Sequence, residues 1–318
     1  MASSTIFPLE GKRVWVAGHR GMVGSALMRR LAREGCEILT VEREKLDLTR
    51  QAEVERWLRQ ARPHAIFQAA ARVGGILANS TRPANFIYEN LAISTNIIEA
   101  AHRQGVAKLM VLGSSCIYPK LAPQPITEEA LLTGPLEPTN QWYAVAKIAA
   151  LKMAQAYREQ YGDDFVAAMP TNLYGPGDNF DLEQGHVLPS LLRKAHEAKV
   201  RGEAQLTIWG SGAPRREFLH VDDCADALVF LMKTYSGESQ LNVGSGEDLT
   251  IRELAECVCE AVGFKGEIVT DRSKPDGAPR KLMSAEKLRA MGWAPQIPLK
   301  AGVRDVYRWY LTTLAAAA

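Results

Sequence analysis

Tyr143 and Lys147 stand four residues apart in a proline-free stretch from about 142 to 160 that reads as a helix, so the two side chains share one face. A lysine ammonium beside a phenol favours phenolate and lowers the pKa of a group that ordinarily titrates near 10, which makes Tyr143 a usable acid. Such a pair also describes an ordinary amphipathic helix surface. Ser114 adds weight to the chemical reading. It follows the apolar run KLMVLG (108–113), so it stands with Leu112, Gly113 and Ser115 at the carboxyl end of a candidate parallel strand, where open α/β sheets bind ligands.

Gly18, Gly21 and Gly24 fall within G-H-R-G-M-V-G, between the β-rich run RVWVAG (13–18) and the helical pattern SALMRRLAREG. Glycines at that junction allow a tight turn, close approach of a pyrophosphate and snug packing of the helix, whose N-terminus favours a bound anion. Gly18, His19, Arg20, Gly21, Met22, Val23 and Gly24 are therefore candidate dinucleotide contacts. At the end of the second strand an acid binds a ribose 2′-hydroxyl, whereas an arginine accommodates a 2′-phosphate. Glu42 and Arg43 sit side by side there, and Arg20 offers a second wall for a clamp with Arg43, which favours NADP(H). Asp47 in KLDL is either an adenine contact or an ordinary turn acid.

These residues need a sheet to hold them, and the chain provides its pattern. Apolar runs at 13–18, 37–41, 65–70 and 108–113 alternate with helical stretches near 50–61 and 84–104, which predicts an α/β fold with a doubly wound parallel sheet. Five prolines in 119–139 mark a surface loop leading to the Tyr143 helix, and FVAAMPTNLYG (165–175) reads as a further strand. Beyond 175 the alternation weakens into helices at 187–199, 222–234 and 250–262, a strand at 268–270 and a turn-rich segment at 271–280. The expected organisation is a Rossmann domain over 11–175, with segments returning from the C-terminal half, and a smaller mixed α/β substrate lobe over 176–314.

Composition narrows the classes. The 38 basic and 36 acidic residues of this 318-residue chain nearly cancel, so no overall field holds a nucleic acid. No charged start followed by an apolar run suggests secretion, and no stretch approaches the roughly 20 apolar residues needed to span a bilayer. Five cysteines without paired C-x-x-C spacing fit neither a disulfide framework nor a zinc site, so no metal is expected and a reducing cytoplasm fits. The run Ala315 to Ala318 is set aside from fold reasoning.

Ser114, Tyr143 and Lys147 together resemble the triad of short-chain dehydrogenases. With GSSCIYP (113–119), VGGI (73–76), EPTN (137–140), PTNLYGPGDNF (170–180) and HVDD, the chain resembles the GDP-L-fucose synthase family of extended short-chain dehydrogenases from about residue 12 to 311. The resemblance implies proton donation by Tyr143, a hydrogen bond from Ser114 to the substrate oxygen, and Lys147 on the nicotinamide ribose. It implies an acid-base pair in Cys116 and His186, and cofactor-side contacts at Pro170, Thr171, Asn172 and Leu173. Ser114 and Asn172 also face substrate by that resemblance. Trp209 and Arg216 in WGSGAPRREFLHVDD and Asp276 in PDGAPRK would bind the nucleotide sugar, with Lys194 where relatives carry an arginine.

The implied reaction converts GDP-4-keto-6-deoxy-D-mannose to GDP-L-fucose, by epimerisation at C3 and C5 and NADPH-dependent reduction at C4. An NAD-dependent sugar-nucleotide 4-epimerase or dehydratase is the alternative, against which Arg20, Arg43 and Cys116 argue. A non-enzymatic NADP-sensing protein would have no need of the triad. The same resemblance implies a homodimer through the helices near 84–104 and 142–160.

Overall fold

The computed structural model describes residues 4–182, 185–274 and 276–317. Gln184 of the QGHVLP segment, Pro275 of PDGAPRK and Ala318 of the alanine run lie outside the described residues. The chain opens with β1 (Arg13–Ala17), α1 (Met22–Leu31), β2 (Glu37–Leu39), α2 (Gln51–Ala61), β3 (Ala65–Gln68), α3 (Ile76–Thr81), α4 (Pro83–Arg103), β4 (Lys108–Leu112), α5 (Gln141–Tyr161) and β5 (Phe165–Pro170). It continues through β6 (Asn172–Tyr174), α6 (Val187–Arg201), β7 (Gln205–Trp209), β8 (Arg215–His220), α7 (Val221–Thr234) and β9 (Leu241–Val243). The last elements are β10 (Asp248–Thr250), α8 (Ile251–Val262), β11 (Glu267–Asp271), β12 (Arg280–Lys281), α9 (Glu286–Ala290) and α10 (Leu299–Ala317).

Six parallel strands form the central sheet in the order β2-β1-β3-β4-β5-β9. The alternation of strand side chains divides its core. Val14 and Val16 point into a cluster with α1 and α7, whereas Trp15 and Ala17 point into one with α2, α4 and α5. Chain direction across the sheet reverses between β1 and β3, and the crevice at such a switch point is where open α/β sheets take ligands. Local signals end the helices as the sequence requires: Pro83 opens α4, and Gly162 closes α5 in the left-handed conformation at φ 76°.

The long strand read over 165–175 is two strands. Pro170 brings no N–H to the ladder, Thr171 N–H reaches the Val243 carbonyl, and the chain then crosses to pair β6 with β8. β8 is the hub of the second sheet, flanked by β10, β12 and β6, and β7 pairs with β11. A third core gathers α6, α8, β7 and α10 around Leu192, Val258 and Val306. The helix α10 runs on through Ala317, beyond the residues that composition alone could place, because alanine is the strongest helix former.

Candidate active site

The carboxyl ends of β1, β3, β4 and β5 open into a cleft of about 540 Å³. Gly18 turns at φ 87°, and a Cβ there would lie 2.7 Å from the Ala70 backbone. A Cβ on Gly24 would meet the Gly18 carbonyl oxygen at 2.0 Å, so the helix packs onto the turn only with glycine at that position. Gly21 meets nothing closer than 3.5 Å, which leaves the N-terminus of α1 open to a ligand. His19, Arg20, Met22, Val23, Arg43, Asp47, Leu112, Gly113, Ser115, Pro170, Thr171 and Leu173 line the same cleft.

Electrostatics sort the residues at its ribose end. Arg20 donates to Glu42 Oε2 at 2.8 Å, and His19 lies 3.4 Å from the same carboxylate. Glu42 therefore neutralises Arg20 in this state, and Arg43 is the arginine left facing the cleft without it. Asp47 accepts from Thr49 N–H and hydroxyl at 2.9 and 2.7 Å, which makes it a turn acid that also borders the cleft.

Deeper in, Ser114 begins a single 3₁₀ turn (Ser115–Ile117) that follows β4, and its Oγ accepts Cys116 N–H at 3.4 Å. The turn brings Cys116 back beside Ser114. Tyr143 and Lys147 come from α5, and His186 caps α6 on the cleft wall. Ser114, Tyr143, Lys147, Asn172 and His186 all line the cleft, and Cys116 is buried at its floor within electrostatic reach of Tyr143 and Lys147. Asn172 is fixed by a 2.8 Å bond from Nδ2 to the Glu217 carbonyl on β8.

The expected lowering of the phenol's pKa is not met in this state. Burial, and secondarily Cys116, push the Tyr143 pKa up. Lys147 cannot offset this, because its Nζ donates to the Leu112 carbonyl at 2.7 Å and lies 5.8 Å from the Tyr143 ring centre. Burial brings Lys147 itself down to about 8. Burial likewise raises Cys116, opposed by Lys281, Ser114 and Lys147. His186 is exposed at the cleft wall, and desolvation there lowers its imidazole from the ordinary histidine range, which favours the neutral ring.

The remaining site residues lie along a wall that leads away from Cys116. Arg216 donates to the Arg215 and Ala278 carbonyls at 2.7 and 2.6 Å. Asp276 accepts from Ser211 N–H at 2.9 Å and Ser211 hydroxyl at 2.7 Å. Lys194 Nζ rests 4.9 Å from the centre of the Trp209 ring. Sequence reasoning missed Lys281, whose buried ammonium acts on Cys116 and Arg216 from β12, a strand of two residues with no periodicity to detect. It also missed Arg72 and Glu89, paired at 2.7 Å on the cleft edge.

Residues 14–244 match the description "NAD dependent epimerase/dehydratase family". The chain belongs to that family. It is 60% identical over 310 residues to a GDP-L-fucose synthase of Sinorhizobium fredii, covering 98% of this chain and 99% of the relative. A GDP-L-fucose synthase of Escherichia coli is 50% identical, with 94% and 97% covered. The crystal structure of a GDP-L-fucose synthetase from Naegleria fowleri bound to NADP superposes with a TM-score of 0.90 at 29% identity, over 99% of this chain and 96% of that one. The parallel six-stranded sheet with flanking helices is thus the Rossmann-like fold of this family.

Proposed function

We propose that this protein converts GDP-4-keto-6-deoxy-D-mannose to GDP-L-fucose, epimerising C3 and C5 and then reducing the C4 ketone with NADPH. The observation that carries the reading is the convergence of Ser114, Tyr143, Lys147 and His186 on one cleft, with buried Cys116 in electrostatic reach of Tyr143 and Lys147, in a chain whose relatives at 50–60% identity are named GDP-L-fucose synthases. A dehydrogenase triad explains reduction. The added thiol and imidazole explain epimerisation.

The glycine turn fits a dinucleotide, since Gly24 and Gly18 close on each other while Gly21 stays open. NADPH, when bound, supplies the hydride for C4. Gly18 to Gly24 would hold its pyrophosphate, Arg43 its 2′-phosphate, and Leu112 to Ser115 with Pro170 to Leu173 its nicotinamide end. Ser114 hydrogen-bonds the substrate's O4, where negative charge develops in both stages. The ketone acidifies the neighbouring C–H bonds, so Cys116 and neutral His186 can remove and return protons at C3 and C5. Tyr143 gives its proton to O4 as the alkoxide forms. Lys147 favours that transfer by its charge, and Lys281 favours the Cys116 thiolate. Lys194 and Arg216 bind the diphosphate, and Trp209 and Asp276 the rest of the nucleotide.

No helix of the described residues is long and apolar enough to cross a membrane, and all five cysteines are free thiols. Cytoplasmic location and a homodimer through α4 and α5 complete the reading. The test is NADPH oxidation followed at its near-ultraviolet band with GDP-4-keto-6-deoxy-D-mannose, with NADH in parallel and the product identified. NADPH-preferring turnover to GDP-L-fucose is expected. Absence of turnover with both cofactors would overturn the assignment.

A further inference from the structure

The wall beyond Cys116 has an order that nothing in the triad requires. Lys281 acts on Cys116 and also on Arg216, its register partner across β12 and β8. A Cβ on Gly277 would stand 2.8 Å from the Arg216 guanidinium, which places the neighbouring Asp276 next along the wall. Asp276 is pinned to Ser211, and a Cβ on Gly210 would lie 2.2 Å from its Oδ1. Trp209 precedes Gly210 and is 57% exposed. Lys274 Nζ lies 5.6 Å from the Trp209 ring centre. Cys116, Lys281, Arg216, Asp276, Trp209 and Lys274 thus run in sequence from proton chemistry, through two cations suited to a diphosphate, to an aromatic platform suited to a base.

Lys274 has a fixed seat at the far end. Asp271, opposite Trp209 in the β11–β7 register, accepts Ser273 N–H at 3.0 Å and its hydroxyl at 2.6 Å, while Lys274 N–H reaches the Asp271 carbonyl at 3.3 Å. The turn carries the ammonium over the indole and leaves it exposed. Lys194, also above Trp209 at 4.9 Å, belongs to α6 and is half-buried, whereas Lys274 is exposed.

We propose that Lys274 reads the O6 and N7 edge of the nucleobase stacked on Trp209, and so selects guanine over adenine. This rests on the GDP-sugar reading above and adds the residue that makes the nucleotide guanine. An ammonium has three donors and no acceptor. Guanine presents two acceptors on that edge, whereas adenine presents one acceptor and an amino donor that an ammonium cannot satisfy. A base stacked on Trp209 brings this edge within reach of one flanking cation. Arginine at 274 would serve equally, because its fork matches the same two acceptors.

The experiment measures dissociation constants for GDP, IDP and ADP by calorimetry, with the protein saturated with NADP⁺ so that the dinucleotide cleft is closed to them. IDP keeps O6 and N7 and lacks the 2-amino group. The unaltered protein is expected to bind GDP and IDP in preference to ADP. Lys274→Met should weaken GDP and IDP alike, by about tenfold or more as for a hydrogen bond to a charged group, and weaken ADP, which offers N7 alone, by less. Lys274→Arg should keep the preference. Equal weakening of all three would assign the lysine to phosphate, loss with GDP alone would assign selectivity to the 2-amino contact, and no change would remove Lys274 from recognition; each overturns the inference while the proposed function stands. An unaltered protein that binds neither GDP nor IDP would overturn both.

Discussion

Buried Lys147 spends its ammonium on the Leu112 carbonyl, and the cost of burying that charge sets a pH limit on the reduction step. Its pKa is about 8, so the charged form that assists Tyr143 is present below pH 8 and lost as pH rises through it. The rate of reduction in the free enzyme should fall along that limb, and Lys147→Arg should move the limb upward because guanidinium keeps its proton. Stability has the opposite sign: between about 8 and 10.5 the unfolded chain binds more protons, so the folded state gains as pH rises. Cys116 gives a second test at this scale. Cys116→Ser keeps the turn but replaces the thiol with a far weaker acid, so deuterium exchange from solvent at C3 and C5 should drop by about 100-fold or more while NADPH affinity is unchanged. Equal loss of NADPH affinity would contradict the assignment. Tyr143, Lys147 and Ser114 were legible from the chain because helical spacing and a strand end are local facts. The direction of the Tyr143 shift was not, because desolvation depends on what the rest of the fold places around the ring.

At the scale of elements, the crossing from β5 to β6 is what joins cofactor and substrate residues, and Glu217 of β8 anchors it. Its carboxylate is fully buried and accepts Gly246 N–H at 2.7 Å and Met283 N–H at 3.1 Å, tying the β9–β10 loop and the segment after β12 to the strand that holds Asn172. Burial still raises the Glu217 pKa, opposed by those two bonds and by Thr171 and Ser245. Glu217→Ala should destabilise the protein by about 3 kcal/mol, because two buried donors lose their acceptor. Glu217→Gln, which keeps one carbonyl acceptor, should cost less. Denaturant midpoints for the two variants decide between this anchoring and a passive buried acid. Strands of two or three residues such as β6, β9, β10 and β12 carry no period that a sequence can display, so this part of the architecture had to be seen. The regular β1-to-β5 alternation, in which every strand but the three-residue β2 is an apolar run of four to six residues, did not.

For the whole molecule, one face of the central sheet is closed by α1 and α7, and the other by α2, α4 and α5, so β1 to β5 each contribute to both cores, while β9 gives Leu241 and Val243 to the first alone. The return of α7 and β9 from beyond residue 220 makes the central sheet a product of both halves of the chain, which explains why strand alternation visible up to 175 described only part of it. The α4–α5 layer carries several of the exposed large apolar side chains. Tyr88 is 64% exposed on α4, and Trp142 and Val145 are 44% and 39% exposed on α5. Apolar side chains on neighbouring helices form a surface suited to its own two-fold copy, since a two-fold contact uses one patch twice. Placing charges there should separate the copies without touching the interior. On the proposed homodimer, the unaltered protein is expected to sediment as a dimer and the double variant Tyr88→Glu, Val145→Glu as a monomer, with NADPH binding retained because neither side chain lines the cleft. A monomeric unaltered protein, or a double variant that stays dimeric, would move the interface elsewhere on the molecule.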